Sequence, residues 1–284
     1  MAYDYQYLKV MVEGRLATVT IDNPPINLIT LPLYAEFLAL AEELAADDDL
    51  TVVVVKSADP DFFIAHFDVE ALLAMPTGTL PERSTELNEF HRIGELFRSM
   101  NKVTIAQIEG RVGGGGSELA ASFDMRFGVR GKTLINQMEV AVGILPGGAG
   151  TQRLPRLVGR SRALEIILGS GDLDAETAER WGYLNRLFAA EEIDGAVSAL
   201  ARRIASFPVE AVRLAKEAVD AGLPDGKEGL LEEAWLFQRL LGTQDAQTRM
   251  RRFLELGGQT REGELRVGEL VAGLAGDAAA SGSS

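Results

Sequence analysis

Ile108-Glu109-Gly110-Arg111-Val112-Gly113-Gly114-Gly115-Gly116-Ser117-Glu118-Leu119-Ala120 runs from an apolar, β-branched segment through four consecutive glycines into a helix-prone segment. Glycine lets a backbone approach a ligand closely and present its N–H groups. A helix N-terminus placed there adds the positive end of a dipole, aimed at an anion. An oxyanion or phosphate site fits this pattern; read alone, so does a flexible glycine turn. Three specific motifs are absent. There is no G-x-x-x-x-G-K-[ST], and no G-x-G-x-x-G can be laid on these glycines. Ser117 is not followed by glycine two residues later, so it does not sit in a nucleophile elbow.

Downstream lies Asn136-Gln137-Met138-Glu139-Val140-Ala141-Val142-Gly143-Ile144-Leu145-Pro146-Gly147-Gly148-Ala149-Gly150-Thr151-Gln152-Arg153-Leu154. Glu139 stands in apolar surroundings just ahead of a second glycine-rich turn. A partly buried carboxylate has a raised pKa, which suits proton transfer near neutrality; a lone Glu here also reads as an exposed loop residue. Upstream, Asp61-Phe62-Phe63-Ile64-Ala65-His66-Phe67-Asp68-Val69-Glu70 is by itself only an apolar loop.

The order of these segments resembles the crotonase (enoyl-CoA hydratase/isomerase) superfamily, over about Leu16 to Phe188. The family's Gly-Gly-Gly-x-Glu-Leu-Ala is answered by Gly114 to Ala120. Its later Glu and glycine-rich segment are answered by Glu139, Gly143, Pro146, Gly147, Gly150, Thr151, Arg153 and Leu154, with Ala149 in place of one glycine. Its Ala-Gly-Ala-Asp loop is answered by Ala65-His66-Phe67-Asp68.

The resemblance implies an oxyanion hole from the backbone N–H groups of Phe67 and Gly115, and a catalytic pair, Glu118 and Glu139, that activates water. It implies substrate or CoA contacts at Ile26, Leu28, Ala65, His66, Asp68 and Gly114; core packing explains Ile26 and Leu28 equally well. The reaction implied is hydration of a trans-2-enoyl-CoA to 3-hydroxyacyl-CoA, with double-bond isomerisation as the alternative and a non-catalytic CoA-binding protein as a third reading. Coenzyme A enters as part of the substrate, with no separate cofactor. The fold implied is α/β, a spiral of ββα units with a C-terminal helical region that forms homotrimers or homohexamers. Histidine at position 66 replaces the loop glycine. That points to a left-handed, mildly strained backbone there, so that His66→Gly keeps or raises activity; the alternative is an imidazole that faces the ligand and aids binding or proton transfer, so that His66→Gly loses kcat.

Elsewhere, Leu8 to Val12 and Ala17 to Ile21 alternate around Glu13-Gly14, a hairpin signal. Leu33, Phe37, Leu40 and Leu44 place a helix over Leu31 to Ala46, and Pro81 to Met100 reads as another. Thr51 to Val55, Val103 to Ile108, Phe123 to Val129 and Tyr183 to Phe188 read as strands, and Asp174 as the cap of a helix ending at Trp181. From Glu191 the pattern is helical. The division expected is 1–190 as spiral core, 191–270 as helical region and 271–284 as a disordered tail. Leu230, Ala234, Phe237 and Leu241 form one apolar stripe in the helical region.

Composition sets the outer limits. With no cysteine, disulfides and a thiol nucleophile are excluded. Two histidines make a multi-histidine metal site improbable. A net charge of −14 disfavours nucleic acid and anionic membranes as partners. No segment reads as a secretory signal or a membrane span, and the cytoplasm is the expected setting. The same charge opposes coenzyme A, itself a polyanion, so a local basic field is expected; Arg249, Arg251, Arg252, Arg261 and Arg266 are its candidates, though solvated helix faces account for them as well.

Overall fold

A computed structural model describes residues 3–77, 81–223 and 226–281. The chain opens with the antiparallel hairpin β1 (Leu8–Glu13) and β2 (Leu16–Ile21). Helix α1 (Leu31–Ala46) starts where Thr30 accepts the Leu33 N–H, with Pro32 in the first turn, and buries Leu33, Phe37, Leu40 and Leu44. Three ββα turns follow. β3 (Val52–Ser57) and β4 (Phe62–Ile64) precede α2 (Val69–Leu73) and α3 (Glu89–Ser99); β5 (Val103–Ile108) and β6 (Arg111–Gly113) precede α4 (Gly114–Ala121); β7 (Met125–Val129) and β8 (Leu134–Asn136) precede α5 (Gly150–Val158).

In every turn the first strand joins one sheet and the second strand joins another. The larger sheet has the order β1-β2-β3-β5-β7-β10 and the smaller the order β4-β6-β8-β9. β3, β5 and β7 pair in parallel, as do β4, β6 and β8, so successive turns stack as a spiral. Val52 to Val55 are buried on both faces, which explains their unbroken apolar run. The stacking is close: a Cβ on Gly110 would lie 2.1 Å from the Asp61 carbonyl oxygen, so only glycine fits where the second turn passes the first.

Helix α6 (Arg160–Gly169), strand β9 (Leu173–Asp174), helix α7 (Ala175–Trp181) and strand β10 (Arg186–Phe188) close the spiral. Asp174 caps α7 by accepting from Thr177, as expected. Only helices follow: α8 (Ile193–Ala205), α9 (Val209–Asp220), α10 (Lys227–Leu241), α11 (Gln244–Glu255), α12 (Arg261–Glu264) and α13 (Val267–Ser281). Among the described residues no helix is long and apolar enough to cross a membrane.

Two expectations are corrected. The helix expected from Pro81 begins only at Glu89, because Asn88 caps it by accepting the His91 N–H. The tail expected to be disordered from 271 is helical through Ser281, and 282–284 lie outside the described residues. Val267, Val271 and Leu274, one helix face, are buried in the cluster that holds Val69, Met138 and Phe253. The stripe on α10 turns inward: Leu230 and Leu241 are buried, and Ala234, Phe237 and Leu241 line a cavity.

Candidate active site

Helix α4 is buried along its whole length and starts directly after β6, at Gly114. The N–H groups of a first helical turn have no partner inside the helix. Here that turn, Gly114 and Gly115, borders a cavity of about 590 Å3. Gly114 has φ +45°, and a Cβ there would lie 2.9 Å from the His66 Cβ and 3.2 Å from Glu139 Oε1. Glycine therefore lets the loop at 66, the helix start and Glu139 converge. A Cβ on Gly115 would lie 3.6 Å from the Phe67 nitrogen. Phe67 forms a parallel bridge with Ile29 that uses the His66 carbonyl and the Asp68 N–H. The Phe67 N–H between them has no acceptor among the described residues. Two backbone donors thus stand close together at one wall of the cavity.

Glu118 and Glu139 line the same cavity. Glu118 Oε1 accepts the N–H groups of Gly148 and Gly150, both at 2.7 Å. Burial raises its pKa well above the ordinary carboxyl range, and the charges of Glu139 and Glu233 add to this; the two N–H donors offset only part of it. Glu139 is pushed up to about 7, chiefly by burial, against the stabilising hydrogen bonds of its own N–H and of Gln137. Gln137 Nε2 donates to both Glu139 oxygens at 3.1 Å. Two interacting carboxyls titrate as a pair, so one can stay protonated while the other is charged.

The remaining wall is apolar. Tyr34, Phe67 and Phe90 form an aromatic cluster, with Phe67 edge-on to both partners at 6.0 Å. Leu72, Met138, Val142, Ile144 and Phe237 continue it.

His66 borders the cavity, but its imidazole is engaged on both sides. Nδ1 donates to the Phe67 carbonyl at 2.8 Å and Nε2 to Glu264 Oε1 at 3.0 Å. Burial lowers the imidazole pKa, and the charge and hydrogen bond of Glu264 more than reverse this, leaving it raised. Burial likewise opposes the Glu264 charge, which His66 and the Gln259 N–H outweigh. The left-handed backbone expected at His66 is absent: its carbonyl accepts the Ile29 N–H, next to the bridge between Ile29 and Phe67. The left-handed non-glycine residue of the site is Ala149, with φ 87°.

Other expected contacts lie elsewhere. Ile26 and Ala65 are buried with Phe62, and Leu28 packs on them, outside the cavity lining. Asp68 caps α2 and accepts from Gln259 Nε2. Four of the five candidate arginines pair with acids, Arg249 with Asp245, Arg252 with Glu255, Arg266 with Glu262 and Glu269, and Arg261 with Asp59 and Asp61, while Arg251 donates to Gln247. Gln137, His91, Glu233 and Glu264 were not singled out in the sequence. For Glu233 a signal existed, an acid between Leu230 and Ala234 on an apolar helix face.

The profile of the Enoyl-CoA hydratase/isomerase family matches residues 12–261. The chain belongs to this family. It is 31% identical over 249 residues to the short-chain-enoyl-CoA hydratase of Clostridium acetobutylicum, covering 86% of this chain and 92% of that one. It is 30% identical over 257 residues to the crotonyl-CoA hydratase of Syntrophomonas wolfei, covering 88% and 96%. A crystal structure from Streptomyces avermitilis, assigned provisionally to the enoyl-CoA hydratases, superposes with a TM-score of 0.87 at 37% identity, covering 96% of this chain and 99% of that one. The fold expected of a family member, ββα spiral and C-terminal helices, is the fold observed.

The raised pKa of Glu139 has a consequence for stability in this family member. A carboxyl whose folded pKa exceeds its unfolded value contributes fully below the unfolded value, and the contribution is lost as pH rises through the folded one. From an ordinary 4.5 to about 7 the difference is worth about 3 kcal/mol. Glu139→Gln is therefore expected to melt a few degrees above the parent at about pH 9, with the gap closing towards about pH 5. Thermal melts across that range check this; a gap independent of pH would mean that Glu139 ionises without cost.

Proposed function

We propose that this site hydrates a trans-2-enoyl-CoA to the 3-hydroxyacyl-CoA. The supporting observation is the pair of buried carboxyls, Glu118 and Glu139, on one cavity beside the N–H groups of Phe67 and Gly115. In this reading the thioester oxygen accepts from the two N–H groups. One carboxylate takes a proton from water as the hydroxide oxygen bonds to Cβ. The double-bond electrons move to Cα and the carbonyl oxygen, where the donors hold the enolate charge. A carboxyl proton then passes to Cα, and the pair recovers its single proton. The acyl group lies against the apolar wall, and CoA is bound only as part of the substrate. Each methylene buried there is expected to raise kcat/KM by up to about fourfold.

The test is an assay with a short and a medium-chain enoyl-CoA, following loss of the conjugated thioester and the product mass. Hydration adds one water. A product of unchanged mass with a moved double bond would replace this reading by isomerisation, and no turnover on either substrate would overturn both. A homotrimer or homohexamer belongs to the same proposal. Helix α9 has no buried residue, and Leu214 and Val219 are exposed on it, on different faces. A monomer in light scattering at micromolar concentration would remove that part.

A further inference from the structure

The turn from Gly147 to Thr151 is held from two sides by two buried carboxyl groups. Its N–H groups alternate: Gly148 and Gly150 donate to Glu118 Oε1, while Ala149 and Thr151 donate to Glu233, at 2.6 and 2.8 Å. The Thr151 hydroxyl also donates to Glu233, and so does His91 Nε2, at 2.9 Å. The side chains of His91 and Glu233 are fully buried. Glu233 comes from α10 and His91 from α3, so two elements outside the glycine loops converge on this turn. Ala149 is left-handed, which costs a residue with a Cβ about 1–3 kcal/mol and persists only where the surroundings over-determine it. Glu233 supplies that determination.

We propose that Glu233, with His91 behind it, is a positioning residue: it holds the strained turn so that the Gly148 and Gly150 N–H groups fix the Glu118 carboxyl. This rests on the hydratase reading. Glutamine at 233 retains one acceptor oxygen. One oxygen takes Ala149 and His91, and the other takes both Thr151 donors, so an NH2 group at either place faces two donors. The turn then shifts, and Glu118 loses its fixed orientation. Burial raises the pKa of Glu118, the charges of Glu139 and Glu233 raise it further, and the His66 charge lowers that of Glu139. Removing the Glu233 charge moves the titration of the Glu118–Glu139 pair to lower pH.

The experiment compares the parent with Glu233→Gln and Thr151→Val. Glu233→Gln is expected to lower kcat by about 10²-fold with little change in KM and to shift the acid limb of the kcat/KM profile to lower pH. Thr151→Val removes one of the four donors and gives a smaller loss of the same kind, which keeps the test open if Glu233→Gln does not fold. Adding Ala149→Gly, which relieves the strained φ, restores part of the rate lost in either variant. In parallel, carboxyl 13C NMR follows the titration of Glu118. If the parent hydrates no enoyl-CoA, the hydratase reading falls, while the NMR titration still decides the role of Glu233. A folded Glu233→Gln with kcat within twofold of the parent and an unmoved Glu118 titration would overturn the proposal and leave Glu233 as a helix cap. If only Thr151→Val folds, unchanged kcat and titration there would overturn it too.

Discussion

Glu118→Gln and Glu139→Gln each lower the rate of enoyl-CoA hydration by about 10²–10⁴-fold, the range for removing a positioned proton-transfer group. Affinity for a non-reacting acyl-CoA stays within a few-fold. The split follows from which atoms do what. The donors to the thioester oxygen are main-chain N–H groups of Phe67 and Gly115, untouched by either change. Both amides are isosteric, so the Gly148 and Gly150 N–H groups can still bond an oxygen at 118, and Gln137 can still bond one at 139. What disappears is the shared proton. Steady-state rates with direct measurement of ligand affinity check this, and near-parental turnover in either variant would end the two-carboxyl assignment.

Breaking the pair of His66 and Glu264 produces a large loss of stability. Their side chains are 4% and 2% exposed. Removing one partner leaves the other charged in the interior, which costs about 3–5 kcal/mol. His66→Gly and Glu264→Gln should therefore both melt well below the parent, and the loop carrying the Phe67 N–H should loosen. The pH window has two edges. Glu264, with its pKa lowered, stabilises above the ordinary carboxyl range and loses its contribution as pH falls through its depressed value. His66, with its pKa raised, stabilises below the ordinary imidazole value and loses its contribution as pH rises through the raised one. The gap between parent and variants is widest between the two ordinary values and narrows on both sides. A Glu264→Gln protein within about 1 kcal/mol of the parent throughout would mean that the pair is not charged in the folded state.

This outcome reverses what residue 66 suggests when read in sequence, and the reason is physical. The loop's conformation is set by a bridge to Ile29 and by a carboxylate from α12, neither of which leaves a local trace. Helix α1, by contrast, was legible to the residue, because Thr30, Pro32 and the stripe from Leu33 to Leu44 are all local. Glu118, Glu139, Phe67 and Gly115 were named from the family resemblance that their segments carry, and all four line one cavity. Ile26 and Leu28 were ambiguous between ligand wall and core; Ile26 is buried, and Leu28 is half-buried against it. Pro81, Ser84 and Asn88 offer competing start signals for helix α3, and the one used is Asn88, whose side chain accepts the His91 N–H. The tail appeared featureless from 271 because its small residues hide the face Val267, Val271, Leu274, which is meaningful only against Phe253.

The two histidine–glutamate pairs also set an order of events in biosynthesis. His66 and His91 leave the ribosome long before Glu233 and Glu264, yet each waits for its partner. The nascent chain can stack its ββα turns early, with Glu118 and Glu139 already present. The loop at 66 and the turn at 149 gain their second anchors when α12 and α10 emerge and dock. A fragment that ends before α10 carries both acids but lacks Glu233 and Glu264, the buried acceptors of this turn and this loop.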